Sequence, residues 1–452
     1  MGKHTATAAS GVRSLPVPPA AGTNIAQVNS THVRLRNAAA AFLSGAALFI
    51  IIMTLTPYQG GSYSPTQTGN EGNVVNQIGY LSLGVIYLFC LFAFVDRRIL
   101  ANIVSPAWVI IFGIAFWWCR YSYQPDAATR GVLLTLIAMT LIAGALLLPR
   151  SERDFVNAAA NALLLIVLMD YAAVVLIPNA AIHTGGGGEP WHQGSWRGHL
   201  VHKNFAAPLF SFIALFGIYC MRSGVRWRGA LIFVLSFIFV LKTQSKTTTG
   251  FLPLTIMIVS MAWLTGKPWL TIATHSILAI AISCLSIGSV MSPSLLPLTR
   301  AVIEDSTFTG RDSIWIFGLE RLQTHLWQGF GTYGFWGTQA VLGQEENFEA
   351  AWDVRGIVSG HNSYLDIILM FGLPAGAVVL TLLMIKPLWD YTRAYRNPAN
   401  RPLADFFMMV VVLMTYVGML ESFMLNRADP MWMAFALAVF GMGMLAKRSV
   451  KP

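Results

Sequence analysis

The sequence predicts an all-α polytopic membrane protein of about 12 transmembrane helices, interrupted by one long hydrophilic loop. Three observations carry that reading. Charged residues make up only 11% of the 452-residue chain and hydrophobic ones 55%, whereas a soluble domain needs roughly 25% charged residues to cover its surface. Apolar runs of about 17–22 residues, long enough to cross a bilayer as helices, recur along the chain. Lys and Arg fall into alternate connections between those runs, as orientation in a membrane demands. The composition therefore excludes the string of soluble domains that the length alone would suggest.

Taken in order, residues 1–33 are rich in Ala, Gly, Ser, Thr and Pro, lack an apolar signal-peptide core and read as a disordered cytoplasmic tail. Residues 34–290 carry nine spans at 37–56, 74–95, 103–119, 131–148, 157–177, 203–221, 228–241, 250–265 and 269–290. Span 228–241 is short, and span 203–221 opens on the polar His202-Lys203-Asn204, so a count of ten to twelve is compatible with the pattern. Residues 291–362 form the long loop, and 363–452 add spans at 363–385, 404–424 and 430–446 before a cytoplasmic tail. The four cysteines, Cys90, Cys119, Cys220 and Cys284, all lie in apolar runs and read as small core residues, with neither zinc nor disulfide spacing.

The formal net charge is +10. In a chain of this kind the excess reflects the positive-inside bias and implies no nucleic-acid partner. Arg34/Arg36, Arg97/Arg98, Arg150/Arg153, Arg222/Arg226/Arg228, Lys267, Lys386 through Arg401 and Lys447/Arg448/Lys451 all fall on one face, which is expected to be cytoplasmic with both termini. Eleven cations remain on the opposite face: Arg120, Arg130, Arg197, Lys203, Lys242, Lys246, Arg300, Arg311, Arg321, Arg355 and Arg427. Single ones suit a solvated loop. Their concentration in 178–204, 242–249 and 310–361 points to an outward-facing anion site.

The glycines of 184–188 and Pro190 break the helix before Trp196, Arg197, His199, His202, Lys203 and Asn204. Irregular backbone at membrane depth lines a polar cavity or is buried in protein. The segment suits anion or sugar binding; an interfacial anchor and a metal cluster of His183, His192, His199 and His202 are the other readings. Lys242 through Thr249 place Lys246 among hydroxyls, which suits either a phosphate or a tight solvated turn, and the spacing of a P-loop is absent. In the long loop, Thr309-Gly310-Arg311-Asp312 resembles a capping box that opens a helix with an apolar stripe of Trp315, Leu319, Leu322 and Leu326. Arg311 would lie in the first turn, where the helix dipole already favours anions. Trp327 through Gly334, including Tyr333, forms a Gly/aromatic turn suited to stacking on sugars. His361 and Asn362 sit at the loop's end directly before a span, where a histidine near several arginines is either structural or a candidate base.

R-G-H-L-V-H-K-N at 197–204, G-R-D-S-I-W at 310–315, W-Q-G-F-G-T-Y-G at 327–334 and G-H-N-S-Y-L at 360–365 together resemble the O-antigen ligase and polysaccharide polymerase superfamily. His361-Asn362, nine residues and then Gly372 fit its His-containing pattern, although the next small position is Ala375, with Gly376 one residue late. The H-K-N before a span is similar to the exopolysaccharide polymerase branch, and Ser122 through Arg130 is similar to another recurrent segment of the family.

The resemblance implies a glycosyltransferase-C-like helical fold in the bacterial inner membrane, with residues 291–362 periplasmic and carrying catalytic elements. It implies an enzyme that moves an oligosaccharide from undecaprenyl diphosphate to an acceptor glycan hydroxyl, inverting the anomeric carbon, with no cofactor and no metal. Its partners would be the lipid-linked oligosaccharide, the acceptor glycan, membrane lipid and a chain-length regulator. His361 would be the base; Arg197, Lys203, Lys246 and Arg311 would neutralise the diphosphate, with His202, Asn204, Asn362, Tyr333 and Arg130 completing the substrate site. Polymerase is the leading reading and O-antigen ligase its rival. A glycolipid transporter is the alternative of another class, disfavoured because no internal repeat is apparent.

Overall fold

The computed structural model describes residues 22–59, 74–103, 105–185, 190–344 and 353–449. By contacts the chain divides into Met1–Ala39 and Ala40–Pro452. The labelled helices are α1 (Gly22–Met53), α2 (Val74–Phe94), α3 (Arg97–Ile103), α4 (Pro106–Trp118), α5 (Pro125–Leu147), α6 (Glu152–Leu176) and α7 (Lys203–Arg222). They continue as α8 (Arg226–Lys242), α9 (Lys246–Thr265), α10 (Pro268–Leu285), α11 (Arg311–Gln323), α12 (Ser363–Tyr395), α13 (Arg401–Gly418) and α14 (Pro430–Leu445).

All twelve expected spans fall on helices, but among the described residues only nine helices are long and apolar enough to cross a membrane. The other three expected spans fall on α4, α8 and α14, with 13, 17 and 16 residues. At ~1.5 Å per residue they reach about 20, 26 and 24 Å, against roughly 30 Å of hydrocarbon. Proline explains two of these short helices: Pro106 and Pro430 occupy first-turn positions and start α4 and α14 afresh. The first helix differs in the other direction, beginning at Gly22 where a tail was expected to run to 33. The rest of that tail, residues 1–21, lies outside the described residues.

Burial separates inner helices from outer ones. α13 is buried from Leu403 through Gly418, and α7 and α14 are buried nearly all round. α10, by contrast, buries only Thr271 and His275, and α2 exposes Phe89 and Phe92. A helix that is apolar on every side belongs inside protein or against lipid, and both kinds are present. Polar contacts fix each end. At one end Arg222 pairs with Asp405 at 2.7 Å, and Arg150 donates to the Phe94 carbonyl at 3.1 Å. At the other, the Tyr58 amide meets the His199 carbonyl and the Trp196 amide meets the Lys242 carbonyl, both at 3.0 Å. The connections expected to share a face thus touch one another.

The long loop builds a small core of its own from Trp315, Leu322, Phe330, Phe335 and Val341 against Leu365 and Leu369 of α12. Leu319 packs beside it, whereas Leu326 lies beyond the end of α11 and is 38% exposed. The loop then inserts against α12. In an unbroken helix the Leu373 amide would bond the Leu369 carbonyl. Here it donates instead to Leu326 O at 2.7 Å, and the carbonyls of Leu369 and Met370 accept from Phe330 N and Gly331 N at 2.8 and 3.0 Å. The break is at Gly372, with φ 71° and ψ 177°. Nine residues into α12, at ~1.5 Å each, it lies about 14 Å below the helix start. The loop therefore satisfies freed backbone groups that lipid could not.

A Cβ on Gly372 would lie 2.5 Å from the Trp327 backbone. Gly372→Ala should therefore destabilise the protein by about 2 kcal/mol or more, from positive-φ strain plus the clash. Thermal unfolding in detergent checks this, and a melting point equal to wild type would remove the break from the account.

Candidate active site

Three consecutive residues begin α12, and two of them are committed to holding it. Asn362 is the N-cap: its Oδ1 accepts from Tyr364 N and Leu365 N at 3.0 Å each. Its Nδ2 donates to Met419 O at 3.0 Å and its amide to Ser422 Oγ at 3.1 Å. Ser363 Oγ donates to Glu421 O at 2.8 Å and accepts from Phe423 N at 3.0 Å. Both side chains are buried. Together they stitch α12 to the α13–α14 connection and leave His361 to project, with φ 45° and a side chain 36% exposed.

His361 Nδ1 lies 3.3 Å from Glu421 Oε2. The other oxygen, Oε1, accepts from Arg311 Nη2 at 2.7 Å, while Arg311 Nη1 donates to the Leu420 carbonyl. Arg311 is the first residue of α11, as the sequence predicts, but no capping box places it there. Gly310 is the N-cap, at φ 81° without a side-chain cap bond. The turn is held by Asp305, which accepts from Thr307 N at 3.1 Å and Thr309 N at 2.8 Å. Trp315 of α11 in turn donates to Gly360 O at 2.9 Å, tying the helix to the residue before His361.

Burial alone would raise the Glu421 carboxyl, but the Arg311 charge and the His361 hydrogen bond outweigh it and hold it at about 2. Glu421 is thus an anion at any pH where the protein works, and it faces His361 Nδ1. That geometry fixes Nδ1 as the protonated nitrogen and leaves Nε2, which has no hydrogen-bond partner among the described residues, as the basic one.

The other residues singled out by sequence are distributed unevenly. Tyr333 reaches this region, with its hydroxyl donating to Leu425 O, but the Arg427 guanidinium lies 5.6 Å over its ring and Gly131 faces its edge. Phe330 of the same turn is 6% exposed. The turn expected to stack on sugars is therefore consumed by packing, because its amides bond the broken α12, and Trp327 remains its exposed aromatic. Arg130, beside Gly131, is exposed at the same end of α5.

Arg197, His202, Lys203, Asn204 and Lys246 gather elsewhere. Arg197 is 7% exposed and donates to Val201 O and Asn179 O at 3.2 and 3.1 Å; burial lowers its pKa. His202 caps α7 through Nδ1, which accepts from Asn204 N at 3.1 Å. Lys203 is buried, and its amide donates to His183 Nε2 at 3.1 Å. Lys246 starts α9 and is exposed. The Trp196–Lys242 backbone bond brings this loop to the α8–α9 turn. No hydrogen bond or ion pair joins the group to His361, Glu421 or Arg311 among the described residues. His199 is structural: its ring lies 2.7 Å from Asp170 Oδ2 and 3.0 Å from Ile52 O. No cluster of three or more His, Cys, Asp or Glu side chains has metal-holding geometry among the described residues; Glu189 lies outside them.

Glu421 is the side chain of this cluster that the sequence reading missed. It fell inside the apolar run assigned as span 404–424, whereas α13 ends at Gly418. A carboxylate six residues before Arg427 and eight before Asp429-Pro430 was the available signal that the span stops earlier.

Glu421→Gln should remove a pH dependence as well as a contact. Because the folded pKa is depressed from 4.5 to about 2, the carboxylate stabilises the fold fully above about pH 4.5. That contribution is lost as pH falls from there towards 2. The variant should be less stable at pH 7 by on the order of 2–3 kcal/mol, since Arg311 loses its counter-charge. It should lose less than wild type on acidification to pH 3. Parallel acid-unfolding curves would refute the assignment.

No curated protein matches the chain. Residues 231–380 match the family model described as O-Antigen ligase. That stretch contains Lys246, Arg311, Tyr333, His361 and Asn362 and the break at Gly372, but stops short of Glu421. Over those residues, a third of the chain, the sequence is similar to the O-antigen ligase family.

Proposed function

We propose that this protein is an inner-membrane polysaccharide polymerase. It transfers an oligosaccharide from undecaprenyl diphosphate to the hydroxyl of an acceptor glycan, on the periplasmic side, with inversion. The observation that carries the reading is the Arg311–Glu421–His361 relay, in which an anchored carboxylate faces one ring nitrogen and the other stays basic. This is the arrangement a general base for an acceptor hydroxyl needs.

The hydroxyl oxygen forms a bond to the anomeric carbon as the bond from that carbon to the diphosphate oxygen breaks. The hydroxyl proton passes to His361 Nε2, and the bonding electrons leave with the diphosphate. The imidazolium so formed is stabilised by Glu421, 3.3 Å from Nδ1. Arg311 acts on His361 through Glu421, because both its terminal nitrogens are engaged with residues 420–421. The departing charge falls to other cations, Arg130 and Lys246, which are exposed, whereas both terminal nitrogens of Arg197 are taken by carbonyls and Lys203 is buried. Asn362 and Tyr333 serve by holding the frame around His361, and His202 with Asn204 by setting the start of α7.

Two separate stretches of cations, 197–203 with 242–246 and 300–321 with 355, favour a polymerase, which must seat two lipid diphosphates. A ligase using a phosphorylated lipid acceptor is the alternative the same partition allows. The resemblance of H-K-N at 202–204 to polymerases tips the choice.

Orientation is testable first. In a cysteine-free background, Ser359→Cys should react with a membrane-impermeant maleimide added to intact spheroplasts. Labelling only after lysis would invert the topology and remove the site from the periplasm.

The chemistry needs a direct assay. Purified protein given only undecaprenyl-diphosphate-linked repeat units should build a ladder of longer glycans and release undecaprenyl diphosphate. His361→Ala should slow this by on the order of 10²–10⁴. Ladders that form only when core lipopolysaccharide or a protein acceptor is supplied would establish the ligase instead.

A further inference from the structure

Two concavities lie away from His361, at the opposite end of the helices. One is a narrow apolar cleft between α4, α12 and α14, lined by Trp108, Ile111, Leu147, Leu382, Val439 and Phe440. The other is an open groove of about 450 Å³ bearing Arg393, Arg396, Lys447 and Arg448, a volume within the ~300–1,000 Å³ usual for small-molecule sites. Lys447 and Arg448 line both, so the apolar cleft and the basic groove adjoin.

The groove's chemistry is one-sided. Among the described residues four cations line it and no carboxylate does. Among the described residues Arg393, Arg396 and Lys447 make no ion pair, whereas Arg222 on the same end is paired with Asp405, and Lys386 at the cleft with Asp390. The Arg448 guanidinium donates to Arg98 O, and its own carbonyl accepts from Asn400 Nδ2, so the turn after α14 is fixed against α3 and α13. The positive-inside bias accounts for the sign of charge at this end. It does not account for four cations around one concavity, which repel one another unless an anion lies between them, nor for the adjoining apolar cleft. Trp389, 66% exposed on α12, marks the depth as that of a membrane–water boundary.

We propose that this groove binds the headgroup of an anionic glycerophospholipid, with its phosphodiester between Arg393, Arg396, Lys447 and Arg448 and the start of an acyl chain against the Trp108–Phe440 cleft. Free phosphate would satisfy the cations but not the cleft, which is why the lipid is chosen. The inference needs only that this end of the helices meets a membrane surface, and it stands or falls separately from the transferase reading.

The test uses the full-length protein in a neutral detergent, titrated with short-chain phosphatidylglycerol, short-chain phosphatidylcholine or inorganic phosphate, and reads the shift in melting temperature. Phosphatidylglycerol should stabilise at concentrations at least tenfold below the other two. Neutralising the groove with Arg393→Gln, Arg396→Gln, Lys447→Gln and Arg448→Gln should weaken half-saturation by about fivefold per cation removed. Arg393→Lys with Arg396→Lys should keep most of the affinity and guards against a folding defect in the glutamine variants. Arg153→Gln with Arg226→Gln, exposed cations of the same end outside the groove, should leave the titration unchanged. Equal stabilisation by phosphatidylcholine or by phosphate would overturn the proposal, as would an equal loss in the Arg153/Arg226 variant.

Discussion

The His361 end of the molecule depends on one carboxylate. Glu421 has no helix to hold it; it sits in the connection between α13 and α14, and its position comes from Arg311 on one oxygen and from Ser363 on its own carbonyl. Arg311 belongs to α11, inside the long loop, and Ser363 to α12, which follows it. Glu421 therefore closes the loop on itself, and His361, between them in sequence, inherits its orientation. Removing the carboxylate would leave Arg311 without its counter-charge and the imidazole without a fixed tautomer. A half-buried ion pair of this kind contributes modestly to net stability, because desolvation offsets much of the attraction. Its larger effect is to select one arrangement of three chain segments.

That arrangement could not persist beside an intact α12. The loop reaches down to Gly372 and exchanges hydrogen bonds with the helix across the break, at Phe330, Gly331 and Leu373. Three backbone groups freed by the break, Leu369 O, Met370 O and Leu373 N, find partners on the loop, as a low-dielectric surrounding requires. Trp118 from α4 adds a bond to Gln328 O at 2.7 Å, and Thr332 Oγ1 donates to Ala115 O at 2.7 Å. The Gly/aromatic segment thus gives up its surface to become a wedge. It fixes where α11 can lie, and with it Arg311.

Much of this was legible in the sequence, and what was not has a physical explanation. The long apolar helices could be read because lipid imposes long apolar runs, whereas the short α3 could not. His361 and Arg311 were legible because polar residues at helix starts stand out beside apolar neighbours. Helix ends were less so: three spans proved short, and the run 404–424 hid the end of α13, since Phe423, Met424 and Leu425 are buried by protein and look like lipid-facing residues. Glu421 was lost with that boundary. The tie from the Asn362 side-chain amide to Met419 and the packing of Tyr333 were also out of reach, because both depend on contacts with residues about 60 and 90 positions away.

The distribution of charge follows from the same constraint at both ends. On the proposed orientation, cations near a span at the His361 end oppose the insertion bias, so each is retained against a cost and needs a local reason. Arg311 has one in Glu421, and Arg197 has one in the carbonyls of Val201 and Asn179. Arg130 and Lys246 are exposed and have no carboxylate partner among the described residues, which is why the proposed reaction assigns the diphosphate to them. At the opposite end the bias runs the other way: basic residues are cheap there, and their sign alone says nothing. Only their concentration around a concavity, beside an apolar cleft, carries information. A cation is thus evidence of a ligand in proportion to how poorly its position is otherwise explained. That criterion turns attention away from Arg311, the most conspicuous arginine in the sequence, and towards Arg130 and Lys246.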